Sequence, residues 1–432
     1  VYGAAGALPD DGATSLDGID VENAIRNPFA GGFPTTAASA VHDVWTGPVP
    51  DMFEGVVLDG DCVAAVAVSS RAVSQPRHRA NRPELPSVPE AMMSLPPTPE
   101  AAPAATPYVT VPVFYGTDRK ATGNNKPAKF FGAERGELQL GIAEVSIPKD
   151  HDRGEIEAPT WWKLEFHPDP DKHVVLLTVQ PLDTANFLAR ASAEVGRSDE
   201  REALVFVHGY NVSFESATRR TAQMAYDLRF RGAAVLYSWP SWASTRCYTQ
   251  DATNARWSVA HFGEFLELIL TRLGASAVHV IAHSMGNQVL TECLRNFRMP
   301  AGAATLRQIV LAAPDLDAGT FETLAREFQG QAERVTLYCS SHDLALKASK
   351  HLVHGHQRAG DSDPAVVVVE GVDTIDASAV DTNLLGHSYV GDSGSILADI
   401  YELVTKGDPP EERRFHLEPR DREGRRYWLF RT

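Results

Sequence analysis

The spacing of apolar and polar positions changes character along the chain and divides it into regions. Apolar runs at Tyr108–Tyr115, Leu138–Ile147, Trp161–Phe166 and His173–Val179 are separated by turn-rich segments, the pattern of antiparallel strands. After a helical piece at Asn186–Val195, short β-branched runs begin to alternate with longer stretches of helical spacing. Strands are predicted at Leu204–Val207, Ala233–Tyr237, from Val278, and at Gln308–Ala313, Arg334–Ser340 and Ala365–Gly371. Helices are predicted at Phe214–Phe230, Ala252–Leu273, Asn287–Phe297, Thr320–Phe328, Leu344–Leu352 and Ser393–Thr405. Such alternation with short connections implies an α/β fold, a mostly parallel central sheet with helices on both faces. Reactive residues in such sheets gather at the carboxyl ends of the strands.

Residues 1–74 are rich in Gly, Ala and Asp and form an N-terminal extension to which no role is assigned. Short strands at Val56–Leu58 and Val63–Val68 and a short helix at Asp20–Arg26 are its predicted elements. Residues 75–107, crowded with prolines from Pro76 to Pro107, read as an extended linker, because proline interrupts helices and central strands alike. The principal domain then spans 108–406, and 407–432 reads as a hairpin-like tail around Arg414–Leu417 and Arg426–Phe430.

The central strand stops abruptly at Ala282-His283-Ser284-Met285-Gly286 and passes straight into a helix. That junction forces Ser284 into a tight bend with its hydroxyl exposed above a helix N-terminus. Ala282 and Gly286 fit, since larger side chains there would collide. A serine needs a base, and the base needs a partner that holds its tautomer. Asp343 follows the strand at Arg334–Ser340, and His387 precedes the last helix, giving the order Ser284, Asp343, His387. Asp315 and Asp317 compete with Asp343, and helix capping is the alternative role for each. His342, His351, His354, His356 and His416 compete with His387, whereas His283 is read as packing against the sheet. Oxyanion donors are assigned to the N–H groups of Met285 and Tyr210, with Asn211 bracing the loop His208-Gly209-Tyr210-Asn211. Trp239, Trp242, Tyr248 and Trp257 read as walls of an apolar acyl or alcohol pocket, with core packing or a lid as competing roles.

Phe206-Val207-His208-Gly209-Tyr210-Asn211, Tyr237-Ser238-Trp239-Pro240-Ser241, Ile281 to Asn287 and Gly386-His387-Ser388-Tyr389 together resemble the bacterial α/β-hydrolases of the DUF900 esterase/lipase-like group. Val113-Phe114-Tyr115-Gly116-Thr117-Asp118-Arg119 resembles that group's first-strand motif. The likeness runs from about Val111 to Leu403 and leaves out 1–107 and the tail. It departs in having Ala282 where the group's elbow has glycine. The resemblance implies a serine hydrolase acting on carboxylic esters. Tyr389, two residues after His387, is a further candidate for substrate binding, with Asn211, Trp239 and Trp242.

Composition narrows the partners. The 432 residues are 43% hydrophobic and 22% charged, ordinary for a globular protein. A formal net charge of −16 argues against nucleic acid or an anionic membrane as partner. No apolar run approaches the roughly 20 residues needed to span a bilayer. Cys62, Cys247, Cys293 and Cys339 lack metal-ligand spacing, so no metal site is expected; Cys293 and Cys339 read as buried thiols, with one disulfide left open. The chain begins at Val1, compatible with a removed leader, so a cytoplasmic and an exported protein are both compatible with it. The expectation is a serine carboxylesterase without cofactor, taking a small-molecule or lipid-like ester, its oligomeric state unspecified. An acyltransferase with the same triad and a non-catalytic interaction protein are the alternatives.

Overall fold

The structure, a computed structural model, describes residues 15–16, 19–20, 106–153, 156–158, 168–349, 355–380, 393–413 and 417–431. The predicted elements within 21–105 and the strand at Trp161–Phe166 lie outside the described residues. So do His351, His354, His387, Tyr389 and His416. A two-residue ladder pairs β1 (Ser15–Leu16) with β2 (Ile19–Asp20).

Eleven strands form one sheet. In chain order they are β3 (Tyr108–Ala121), β4 (Phe131–Pro148), β5 (Val175–Leu182), β6 (Glu202–Val207), β7 (Ala233–Ser238) and β8 (Ala277–His283). They continue as β9 (Thr305–Ala312), β10 (Arg334–Cys339), β11 (Asp373–Asp376), β12 (Leu417–Arg422) and β13 (Arg425–Phe430). Across the sheet the order is β12-β13-β11-β10-β9-β8-β6-β7-β3-β4-β5. Every pairing from β13 to β3 is parallel, and the antiparallel pairs are β12–β13 at one edge and β3–β4–β5 at the other.

Among the described residues the α-helices are α1 (Thr184–Val195), α2 (Phe214–Asp227), α3 (Tyr248–Arg272), α4 (Gly286–Asn296), α5 (Ala318–Glu327), α6 (Leu344–Ser349) and α7 (Ser393–Lys406). Side-chain caps set several starts: Asp183 opens α1, Ser213 opens α2 and Asp317 opens α5. Strand alternation feeds two apolar layers. Val205, Val207, Val278 and Val280 pack with Phe187, Phe262, Phe265 and Leu290 on one face. Leu204, Phe206 and Ile281 pack with Phe214, Met224, Ile396 and Ile400 on the other.

One predicted strand is corrected. Ala365–Gly371 is not in the sheet; the strand beside β10 is β11, at Asp373–Asp376. Val366 to Val369 are nevertheless buried, at 3–7% exposure. Three of their carbonyls are taken by side chains instead of a ladder: Arg422 donates to Val366, Thr374 to Val367 and Arg425 to Val368, while the Val369 carbonyl accepts from the Val372 N–H in a turn. The apolar run is real, but its hydrogen bonds go elsewhere.

The topology places the site. β6 sits between β7 and β8, so the chain leaves β6 to one side and returns through α3 to the other. At such a reversal the loops ending neighbouring strands diverge and open a crevice. The loops after β6 and β8 flank it.

Candidate active site

Ser284 lies between the end of β8 and the start of α4, with φ +48. A non-glycine residue in the left-handed region costs on the order of 1–3 kcal/mol, which neighbouring contacts must offset. The backbone here is tied on both sides. The Ser284 N–H donates to the Ala312 carbonyl at 3.0 Å, and its own carbonyl accepts from the N–H groups of Asn287 at 3.1 Å and Asp315 at 3.2 Å. Asn287 Nδ2 donates to both the Ser284 and Ala312 carbonyls, at 3.0 and 3.1 Å. The elbow is therefore pinned to the end of β9.

Two glycines let the flanking loops meet. A Cβ at Gly286 would stand 2.4 Å from the His208 carbonyl oxygen and 2.7 Å from that of Val207. A Cβ at Gly209 would stand 2.9 Å from both the Ser284 Cβ and His283 Nδ1. The loop His208–Val212 thus lies directly against the serine. Among the described residues, neither the Tyr210 nor the Met285 backbone N–H has a hydrogen-bond acceptor.

That loop is held from behind. Asn211, at φ +59, donates its N–H to Asp251 Oδ2 at 3.2 Å. Asp251 also accepts from Ser241 Oγ at 2.6 Å and the Trp242 N–H at 2.8 Å, while Ser241 Oγ accepts from the Val212 N–H at 3.0 Å. Burial raises the Asp251 carboxyl above its ordinary range. The Tyr210 hydroxyl reaches the Thr245 carbonyl at 2.5 Å.

The aromatic residues separate into distinct roles. Trp239, expected as a pocket wall, is fully buried; its indole N–H donates to the His208 carbonyl at 2.7 Å, and its ring stacks on His208 at 5.0 Å. It packs behind the loop, which leaves it no open face for a substrate. Trp242 is 40% exposed. Trp257 packs against His261, with Arg135 over its ring at 5.0 Å. A cavity of about 690 Å³, lined by Glu137, Leu140, Pro181, Asp183, His261 and Leu268, includes none of the residues around Ser284.

The three candidate acids differ in what holds them. Asp315 is buried with both oxygens engaged: Oδ1 accepts from Arg358 Nε at 2.7 Å and Ser349 Oγ at 2.8 Å, and Oδ2 from the Tyr248 hydroxyl at 2.8 Å. Asp317 caps α5 by accepting the Thr320 N–H at 2.7 Å. Asp343 Oδ1 accepts the Leu346 N–H at 3.0 Å as the cap of α6. Burial lifts the Asp343 carboxyl to about 6. His283 is pushed down to about 4 by burial and then by Arg220, so it is neutral near pH 7.

Sequence reasoning singled out Ser284 and the Gly209 loop and quoted Arg119, Ser241 and Asn287 only as motif residues without a role, while Asp251 went unnamed; these four brace the serine and the loop. Their signal is polar residues at strand ends and on a helix, whose partners are set only by the fold. Cys293 and Cys339 are free and buried, and Cys247 is buried as well. No described helix is long and apolar enough to cross a membrane.

The chain is similar to a Lactobacillus plantarum WCFS1 protein ascribed to the cell surface hydrolases, at 10% identity and TM-score 0.30, over 50% of this chain and 96% of that one. It is also similar to a structure from work on two prolyl endopeptidases, at 12% identity and TM-score 0.24, over 62% of this chain and 35% of that one. Neither likeness is close enough to bear on activity. No curated protein matches the sequence. The family described as alpha/beta hydrolase of unknown function (DUF900) matches residues 184–406, more than half of the chain. With a mostly parallel sheet clothed in helices and this match together, the chain belongs to the DUF900 alpha/beta hydrolases.

Proposed function

We propose that the protein is a serine carboxylester hydrolase working through an acyl-enzyme. The observation that carries this reading is Ser284, held at φ +48 at a strand-to-helix junction with the Gly209 loop pressed against it. His387, in the segment between β11 and α7, takes the Ser284 hydroxyl proton as the oxygen attacks the ester carbonyl. The N–H groups of Tyr210 and Met285 receive the oxyanion. Collapse of the tetrahedral intermediate breaks the bond to the alcohol, which leaves with the proton from His387. Water then repeats the sequence and releases the acid.

Asp343 orients the imidazole. In support, among the described residues the Asp343 side chain accepts only from its own helix start, whereas both oxygens of Asp315 are engaged by the side chains of Arg358 and Tyr248. The substrate is a small-molecule or lipid-like ester, contacted by Asn211, Trp242 and Tyr389, while Trp239 backs the His208 loop. The test is labelling by a fluorophosphonate probe, with Ser284→Ala as control, followed by p-nitrophenyl esters of graded acyl length. Labelling and turnover that both vanish in Ser284→Ala are expected. Equal labelling of that variant would refute the assignment.

A further inference from the structure

We propose that Arg119 is a positioning residue for this reaction, acting through His208 to aim the Tyr210 N–H at the oxyanion. The inference rests on the hydrolase reading above and deepens it.

Arg119 is fully buried, and all five of its guanidinium N–H bonds are used. Nε donates to Ser238 Oγ at 2.9 Å. Nη1 donates to the carbonyls of Gly132 at 3.0 Å and Ser241 at 2.9 Å. Nη2 donates to the Val212 carbonyl at 2.7 Å and lies 3.3 Å from His208 Nε2. A guanidinium can only donate, so His208 Nε2 must accept. The imidazole proton is then on Nδ1, which faces the Gly209 carbonyl at 2.8 Å. A carbonyl can only accept, and the two ends of the ring agree. Burial and the neighbouring Arg119 charge keep His208 neutral, well below its ordinary titration range.

The Gly209 carbonyl belongs to the same planar peptide unit as the Tyr210 N–H. In a trans peptide the two point in opposite directions. A hydrogen bond that fixes the carbonyl away from the site therefore fixes the N–H in the reverse sense. Arg119 sets the His208 tautomer, both directly and through the Ser238 hydroxyl, which accepts from its Nε and lies 3.2 Å from the same ring nitrogen; His208 sets the Gly209 carbonyl, and that peptide plane sets the donor. Lysine cannot substitute, having three donors on a point charge where five lie in a plane. Both Arg119 and its acceptor Gly132 lie before the segment 184–406 that matches the family.

The test compares full-length wild type with Arg119→Met and Arg119→Lys, reading kcat per fluorophosphonate-labelled Ser284, KM, and the ¹⁵N shifts of His208, assigned with His208→Phe. Both Arg119 variants are expected to lose about 10²-fold in kcat with KM within about threefold, the loss of one oxyanion donor. The His208 nitrogens should move away from the pure Nδ1–H pattern. A purely structural role would lower the labelled fraction and leave kcat per labelled site intact, and that result overturns the proposal. If Arg119→Met does not fold, His208→Phe decides: it keeps a ring on Trp239 and removes the donor to Gly209, so wild-type turnover overturns the relay. Wild type that neither labels nor turns over would overturn the hydrolase reading and this relay together; an active wild type with unaffected variants overturns the relay alone.

Discussion

Gly209→Ala isolates the contact between the oxyanion loop and the nucleophile. The added methyl would sit 2.9 Å from the Ser284 Cβ, where carbon atoms ordinarily rest about 3.5–4.0 Å apart. A gap of roughly 0.6–1 Å must therefore open. Ser284 cannot yield, because its N–H and carbonyl are tied to Ala312, Asn287 and Asp315. The loop moves instead, carrying the Tyr210 N–H with it. A donor displaced by that much from about 2.9 Å no longer makes a useful hydrogen bond. Losing one oxyanion donor costs about 3 kcal/mol, or 10²–10³ in kcat. The assay is p-nitrophenyl acetate turnover normalised to fluorophosphonate-labelled sites, so that any misfolded fraction drops out. KM should stay within a few-fold, and overpacking should cost about 1–3 kcal/mol of stability. A kcat per site within threefold of wild type would show that the loop does not serve Ser284.

Other consequences can be checked separately. Gly286→Ala drives a methyl onto two backbone oxygens of β6 and its loop, so urea unfolding should show a loss of about 1–3 kcal/mol or more; an unchanged midpoint would contradict the packing. Asp343→Asn should lower kcat by about 10⁴-fold, and wild-type kcat/KM should rise with pH through about 6 as this carboxyl ionises. Should Asp315→Asn abolish turnover while Asp343→Asn spares it, the acid is misassigned. His151 donates to Asp227 and Glu157; burial opposes its charge, but these hydrogen bonds outweigh it and lift the imidazole to about 9. Its folded value exceeds the ordinary 6.5, so its contribution is full below pH 6.5 and is lost as pH rises through 9, at most about 3 kcal/mol. Unfolding free energies at pH 6 and 9.5 should differ accordingly, and His151→Gln should flatten the difference. Arg413→Met strips the cation from fully buried Asp399, leaving it, among the described residues, the Tyr338 hydroxyl at 2.5 Å; a loss of about 3–5 kcal/mol in chemical denaturation is expected, and less than 1 kcal/mol would refute that account.

The parts of the fold that could be read from sequence are those whose cause is local. Leu204–Val207, Ala233–Tyr237 and the Val278 run are short β-branched stretches closed by turn residues, and each is a central strand. The abrupt strand-to-helix junction at Ser284 carries its geometry in adjacent residues. Val366–Val369 looks identical by that measure, yet two of its carbonyls are taken by Arg422 and Arg425, 56 and 57 positions away, which no local window contains. Trp239 fails as a pocket wall for a related reason: an aromatic run beside a motif fits a lining as well as a support. Arg119 was legible only as a motif residue, because four of its five acceptors lie 89 to 122 positions away in sequence.

The hairpin β12–β13 also protects the sheet. β13 covers the outer side of β11, a strand of four residues, while Arg422 and Arg425 seal the valine carbonyls nearby. A fragment trimmed to the family-matched residues, ending at Lys406, would bare the N–H and C=O groups of that rim and leave a hydrophobic ribbon half clothed. Open rims of this kind recruit strands from other chains. Expression of the isolated core should therefore favour self-association, and the short tail acts as the selvedge that stops the fabric from fraying.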